Sequence, residues 1–297
     1  MKFIVTGGAG FVGSNLIKRL LEDGHKVVSL DNYSTGKKEN EIEHLKGVQY
    51  FDVDLSEVVN YNFFMDNPDG VFHLAALARI QPSFKHPQLS FNSNALGTQN
   101  LLEWVREKQC PLVYAGSSSV HSDKYANPYT FTKHLGEEII RMYSRLYDIP
   151  TIITRFYNVY GENQATEGAY CNVLGIFQRL YNKGKPLTIT GDGEQRRDFT
   201  YVGDIVDGIV KSMEAMHGAV DMRYEAEEIE LGRGKNYSIN EIATAFGEYY
   251  AAEYIDEWPG EARVTLNTDT KAREMLDWNP TVDIIEYIKD NYVAKNH

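Results

Sequence analysis

At 297 residues with a formal net charge of −12, the chain is long enough for one large core or for two lobes sharing an interface. Its acidic balance argues against a nucleic-acid backbone or an anionic membrane as partner, while leaving room for a local basic pocket that takes a small phosphate. No apolar run approaches the ~18 residues a membrane span requires. Cys110 and Cys171 lie far apart with no Cys or His at metal spacing, so no disulfide framework and no metal site is expected. A reducing cytoplasm is the expected compartment.

The first segment, "KFIVTGGAGFVGSNLIKRLLEDGHKVVSLDN", reads as strand, glycine turn, amphipathic helix and strand. The opening "MKFIVTGG" has its glycines too early for a signal-peptide core and is read as the first strand. Gly7, Gly10 and Gly13 are spaced three apart, and Gly8, Gly10 and Gly13 also satisfy G-x-G-x-x-G. Glycines so placed let the backbone turn tightly and approach a pyrophosphate at a helix N-terminus. Asp31 ends the next strand, 18 positions after Gly13. A carboxylate there accepts from ribose hydroxyls and repels a 2′-phosphate, which predicts a dinucleotide site for NAD rather than NADP. Lys37 and Lys38 weaken that preference slightly, because a flexible lysine reaches the same phosphate.

Further strands are expected at "VQYFDVDL", "GVFHLAAL", "PLVYAGSSS" and "PTIITRF", with helical patterns between most of them. The alternation predicts an α/β fold, a Rossmann-type doubly wound parallel sheet with ligands at the C-terminal strand ends. Asp54, Ala75, Ala76 and Ser117 fall on that rim.

The pattern Tyr-x-x-x-Lys occurs three times, from Tyr33, Tyr129 and Tyr181, so the spacing alone decides nothing. Only the second stands at a helix start, with Asn127 as N-cap and Pro128 as first helical residue. Beyond it Leu135, Ile139, Met142, Tyr143 and Leu146 form an apolar stripe at helical spacing. Tyr129 and Lys133 therefore share a helix face. A free phenol titrates at about 10, and a lysine on the same face, an oxidised nicotinamide and the helix N-terminus all favour its anion. Tyrosine plus lysine beside NAD points to alcohol oxidation, with Ser117 holding the reacting oxygen. Without the glycine motif, Tyr129 would read as an aromatic packed on the sheet and Ser117 as a turn serine.

In ordered motifs along almost its whole length the chain resembles the extended short-chain dehydrogenase/reductase superfamily, and within it the NAD-dependent nucleotide-sugar epimerase/dehydratases. It is most similar to the UDP-glucose and UDP-N-acetylglucosamine 4-epimerases. The motifs include "TGGAGFVG", "SLDNYSTGK", "HLAAL", "SSSV", "PYTFTK", "TRFYNVYG", "PLTITGDGEQRRDFTYVGD" and "WPGEARVTLNTD". The resemblance implies a pyrophosphate loop of Gly7, Gly10, Phe11, Val12 and Gly13, with Asp31 and Asn32 at the adenosine ribose and Asp54 with Leu55 at the adenine. It places Ala75, Ala76, Asn94 and Tyr157 on the cofactor side, and makes Ser117, Tyr129 and Lys133 the catalytic set. For the nucleotide sugar it implies Arg79, Ser118, Asn158, Asn172, Thr188, Arg197, Glu261 and Arg263. Arginine suits a diphosphate because its planar fork is permanently charged.

Members of this family share transfer of a hydride from the sugar and differ in the later steps. Dehydratases place Asp-Glu after the catalytic Thr, and decarboxylating relatives often place Glu there; this chain has Ser118 and Ser119. The expected activity is therefore a UDP-sugar 4-epimerase. A 4-ketoreductase, an epimerase of a GDP- or dTDP-sugar, and a catalytically silent NAD-binding sensor or scaffold are the alternatives. Departures from the family pattern are the short "VHSDKYAN", with His121 read as packed or solvated rather than as a proton carrier, Ala78 where some relatives have lysine, and a small Thr265 at a size-gating position. The cofactor domain is expected over 1–155, with segments near 197–216 and 226–234 returning to it, and the substrate lobe over 156–297. Helices around 92–108 and 129–147 resemble those of a family homodimer interface.

Overall fold

Runs such as "FIVT" and "LVYAG" have no polar alternation, which suits strands covered on both faces. In the computed structural model, which describes residues 1–42, 45–57, 59–218 and 224–294, they form a parallel sheet. Its first six strands are β1 (Lys2–Thr6), β2 (Lys26–Asp31), β3 (Val48–Asp52), β4 (Gly70–His73), β5 (Leu112–Ser117) and β6 (Thr151–Phe156). The helices between them are α1 (Phe11–Glu22), α2 (Ile80–Lys85), α3 (Pro87–Phe91), α4 (Gly97–Lys108) and α5 (Pro128–Tyr147).

After β6 the chain builds a smaller lobe from β7 (Val159–Tyr160), α6 (Val173–Asn182), β8 (Leu187–Thr190), β9 (Arg196–Asp198) and β10 (Thr200–Tyr201). It then returns to the sheet through α7 (Val202–Gly218) and the strand β11 (Glu227–Leu231), which pairs with β6. The remainder is β12 (Asn236–Ser238), α8 (Ile239–Ala245), β13 (Ala252–Ile255), α9 (Lys271–Leu276) and α10 (Ile284–Ile288). The seven-stranded order is β11-β6-β5-β4-β1-β2-β3, so the winding reverses between β1 and β4. A crevice opens at the C-terminal strand ends of such a reversal.

Alternate side chains of β1 divide the core. Phe3 and Val5 pack with Leu16, Ile17 and Leu20 of α1 and Ile205 and Ile209 of α7, while Ile4 packs with Leu101 and Val105 of α4 and Ile140 of α5. Each such fully buried aliphatic side chain stabilises the fold by roughly 1.5–3 kcal/mol. The small lobe has its own core around Tyr160, Phe177, Ile189, Ile242 and Phe246.

Helix α5 begins where the caps predict. The Asn127 side chain accepts from the Thr130 amide at 2.8 Å and Pro128 fills the first turn. Its apolar stripe is divided: Tyr143 is buried in the core and Ile139 packs against it, whereas Met142 is 47% and Leu146 64% exposed. The face against the sheet carries Lys133, Gly136, Glu137, Ile140 and Ser144. Polar groups can sit there because β6 and β11 supply partners. Glu137 pairs with Arg155 at 2.7 Å, and Arg155 also reaches Glu228 at 2.8 Å and Glu230 at 2.9 Å. Burial works against the Arg155 charge, yet Glu137, Glu230 and Glu228 hold its pKa above the ordinary value.

Candidate active site

One cavity of about 1480 Å³ runs from the glycine turn after β1 to the small lobe. At the turn, Gly7 has φ +71°, and a Cβ there would stand 2.9 Å from the Ala75 nitrogen. A Cβ on Gly13 would come within 2.1 Å of the Gly7 carbonyl oxygen. The helix N-terminus therefore faces the cavity over bare backbone, which is the cradle a pyrophosphate needs. Asp31 accepts from the Ala9 amide at 3.0 Å and the Tyr33 amide at 2.8 Å, bracing that turn. Burial pushes its pKa up, and these two amides act against the rise. Asn32 donates to Asp54 at 3.0 Å; hydrogen bonds led by the Ser56 hydroxyl hold the Asp54 carboxyl below its usual range. Phe11, Val12, Leu55, Ala75 and Ala76 complete this wall. The residues present fit a dinucleotide.

At the end of β5, Ser117 Oγ lies 3.0 Å from Tyr129 Oη. The Tyr129 amide donates to Ser83 Oγ at 3.1 Å, tying the start of α5 to α2. Burial raises the Tyr129 pKa, and Ser117, Arg79 and Ser119 act against that rise. Lys133 does not act by touching the phenol. Its ammonium donates to Tyr114 Oη at 3.0 Å and to the Ala115 carbonyl at 2.6 Å. Burial lowers its pKa to about 8, with Glu137 opposing. Ser117 and Arg79 thus favour the phenolate, while the Lys133 amine is anchored on β5.

On the other side of the cavity, Asn158, at φ +27°, donates to the Asp198 carbonyl and to Thr265 Oγ1 at 3.0 Å. Asn172 caps α6, accepting from the Gly175 amide at 2.7 Å. Arg197 lies 3.7 Å from Glu261; burial lowers its pKa and Glu261 opposes. Arg263 is exposed and paired with Asp192 at 2.7 Å. These residues, together with Arg79, Ser118 and Thr188, line the same cavity.

Two of the residues expected at the cofactor stand behind the wall. Asn94 is buried with both amide atoms used: Oδ1 accepts from the Leu77 amide at 2.8 Å, and Nδ2 donates to the Leu77 carbonyl and Thr132 Oγ1. Its amide shapes the loop after β4 rather than facing the cavity. Tyr157 is buried against Gly232, where a Cβ would meet its ring at 2.9 Å. Neighbouring Phe156 and Asn158 take the lining positions instead.

His121 lies outside the lining and bonds Glu230 at 2.9 Å. That hydrogen bond raises its pKa against the effect of burial, so it anchors the turn after Ser117 to β11. Sequence reasoning overlooked Trp258 and Gln195, both in the cavity wall; each lies within a quoted motif that does not single it out, and each arrives through the small-lobe fold. Among the described residues no group of His, Cys, Asp and Glu could hold a metal ion, and no helix is long and apolar enough to cross a membrane.

The family model for the NAD dependent epimerase/dehydratase family matches residues 3–225. The UDP-glucose 4-epimerase of Mycolicibacterium smegmatis is 32% identical, covering 97% of this chain and 96% of that protein. The UDP-glucuronate 4-epimerase of Thermodesulfobacterium geofontis is 30% identical over 97% and 94% of the two chains. Among solved structures, UDP-glucuronic acid 4-epimerase from Bacillus cereus, in complex with UDP-glucuronic acid and NAD, superposes with a TM-score of 0.87 at 29% identity over 100% of both chains. With its glycine cradle, half-buried Ser117–Tyr129 pair and reversed sheet winding, the chain belongs to the NAD-dependent epimerase/dehydratase family.

Proposed function

We propose that this protein is an NAD-dependent UDP-sugar 4-epimerase, with the cofactor on the sheet half of the cavity and the nucleotide sugar on the small-lobe half. The observation that carries this reading is the 3.0 Å contact of Ser117 with Tyr129 in the same cavity as the glycine cradle and Arg197. The full-length likeness to UDP-sugar 4-epimerases supports it.

Bound NAD supplies the acceptor, and later the donor, of the hydride at C4. Tyr129 takes the proton of the 4-hydroxyl, and Ser117 holds the same oxygen through the change from alcohol to ketone. Arg79 and the Ser119 hydroxyl favour the phenolate. Lys133, anchored on Tyr114 and the Ala115 carbonyl, would hold the cofactor ribose. Asn158 and Arg197 retain the diphosphate while the 4-keto sugar turns, and Tyr129 returns the proton after the opposite face is reduced. Neither Ser118 nor Ser119 can serve as the carboxylic acid that dehydration or decarboxylation would need.

The exposed row Phe131, Met142 and Leu146 on α5, continued by Phe91 and Leu96 before α4, supports a homodimer built through these helices. The activity is tested by incubating the purified protein with UDP-glucose, UDP-N-acetylglucosamine and UDP-glucuronate without added reductant and separating the C4 epimers. A mixture of epimers without net NADH is expected; a reduced product that consumes NADH would establish a ketoreductase instead.

A further inference from the structure

Arg79 stands immediately before α2, with its guanidinium in the cavity. Nε donates to the Tyr170 carbonyl at 2.9 Å and Nη1 to the Ala78 carbonyl at 3.0 Å, so neutral oxygens fix the plane of the group. Among the described residues Nη2 makes no hydrogen bond and no carboxylate comes within ion-pair distance. Glu261, the acid whose charge reaches it, is engaged with Arg197. Burial lowers the Arg79 pKa, and Tyr129, Cys171 and Glu261 only partly oppose it. A guanidinium keeps its charge at any working pH. Held in a cavity without a counter-ion, it is costly unless the ligand brings one.

Its position tells which end of the ligand that is. Tyr129 feels the Arg79 charge, and the bond from the Tyr129 amide to Ser83 joins α2 to the start of α5. Arg79 therefore belongs to the C4 side of the sugar. Arg197, on β9, pairs with Glu261 at 3.7 Å, and the Glu261 charge reaches Arg79 as well. Arg79 makes no ion pair among the described residues, so its fork is open to an anion of the ligand.

We propose that Arg79 is a specificity-determining residue that pairs with a carboxylate on C5 of the sugar, making a UDP-hexuronate the preferred substrate over a neutral UDP-hexose. The proposal rests on the epimerase reading of the site. C5 adjoins the carbon at which Tyr129 acts, and a fork already oriented by two carbonyls meets a planar carboxylate in two parallel hydrogen bonds.

The test measures kcat/KM for 4-epimerisation of UDP-glucuronate and UDP-glucose by the wild type, Arg79→Met and Arg79→Lys, with binding of UDP and both UDP-sugars followed by calorimetry. The wild type is expected to favour the uronate by at least about tenfold, and Arg79→Met to lower the uronate-to-glucose ratio by about a hundredfold. Arg79→Lys keeps the charge but not the fork and is expected to fall between them; it carries the test if the methionine variant does not fold. The Kd for UDP is expected to move less than about threefold, because Arg197 holds that end.

An equal loss on both sugars overturns the proposal. If UDP binding weakens as well, Arg79 serves the diphosphate; if UDP binding holds, it acts on Tyr129. A wild type that prefers UDP-glucose also overturns it and leaves the epimerase reading standing. If the wild type converts neither sugar nor UDP-N-acetylglucosamine, the epimerase reading fails. Calorimetry then decides Arg79 by itself, since a uronate affinity unchanged in Arg79→Met contradicts the pairing.

Discussion

Tyr129 is held between burial, which keeps its proton on, and Ser117, Arg79 and Ser119, which favour its release. Replacing it by Phe removes the proton acceptor while leaving the ring in place. Turnover is expected to fall by about 10²–10⁴-fold, with NAD content, measured after denaturing release, retained. Near-normal turnover would remove Tyr129 from the mechanism. His73 offers a test of stability. Thr98 donates to the Asn94 carbonyl, so His73 Nε2 donates to Thr98 Oγ1 at 2.9 Å and Nδ1 accepts from Thr6 at 2.7 Å, which fixes a neutral ring. Burial, with Lys133 adding to it, lowers its pKa to about 3. The unfolded chain binds this proton below about pH 6.5 and the folded chain does not, so stability falls as pH drops, by about 1.4 kcal/mol at one unit below that value. Urea unfolding at pH 7 and pH 5.5 is expected to show this loss, and His73→Gln to reduce it. The Tyr129–Lys133 pair was legible in the sequence because Asn127 and Pro128 mark the helix start. The state of Arg79 was not, because its anchor, the Tyr170 carbonyl, comes from a distant part of the chain.

At the scale of elements, the glycine turn and the first helix were legible from spacing alone, since backbone approach forbids a side chain at Gly13. Gly13→Ala is accordingly expected to abolish NAD retention, and a variant purified with full NAD content would contradict the cradle. Helix α5 was legible in its start and length but not in its orientation. Periodicity marks an apolar face without saying whether solvent, a second chain or the sheet covers it. The face turned inward mixes Ile140 and Tyr143 with polar groups, and Glu137 can sit there because Arg155 on β6, itself paired with Glu230 on β11, meets it; these partners are far apart in sequence. Removing Glu137 leaves Arg155 buried with less counter-charge. Glu137→Ala is expected to destabilise the protein by about 3–5 kcal/mol, read from denaturant unfolding. A loss under about 1 kcal/mol would show that Glu228 and Glu230 suffice.

For the whole molecule, the cofactor half was legible because strand and helix alternate there, whereas the small lobe is built from strands of two to four residues whose partners lie far along the chain. Interleaving puts reacting groups from β5 and α5 opposite diphosphate-side groups from β9 and the segment near residue 261. The outward row on α5 bears on assembly. Met142→Glu with Leu146→Glu is expected to convert a dimer to a monomer in light scattering, and a monomeric wild type would remove the interface. The central claim is that one cavity removes a hydride from C4 and returns it to the same carbon. The most direct measurement is turnover of a UDP-sugar deuterated at C4, with the product epimer examined by NMR and mass spectrometry. Inverted product that keeps its deuterium at C4, with no uptake from solvent, is the predicted result; loss of the label to water, or its accumulation on released cofactor, would contradict the claim.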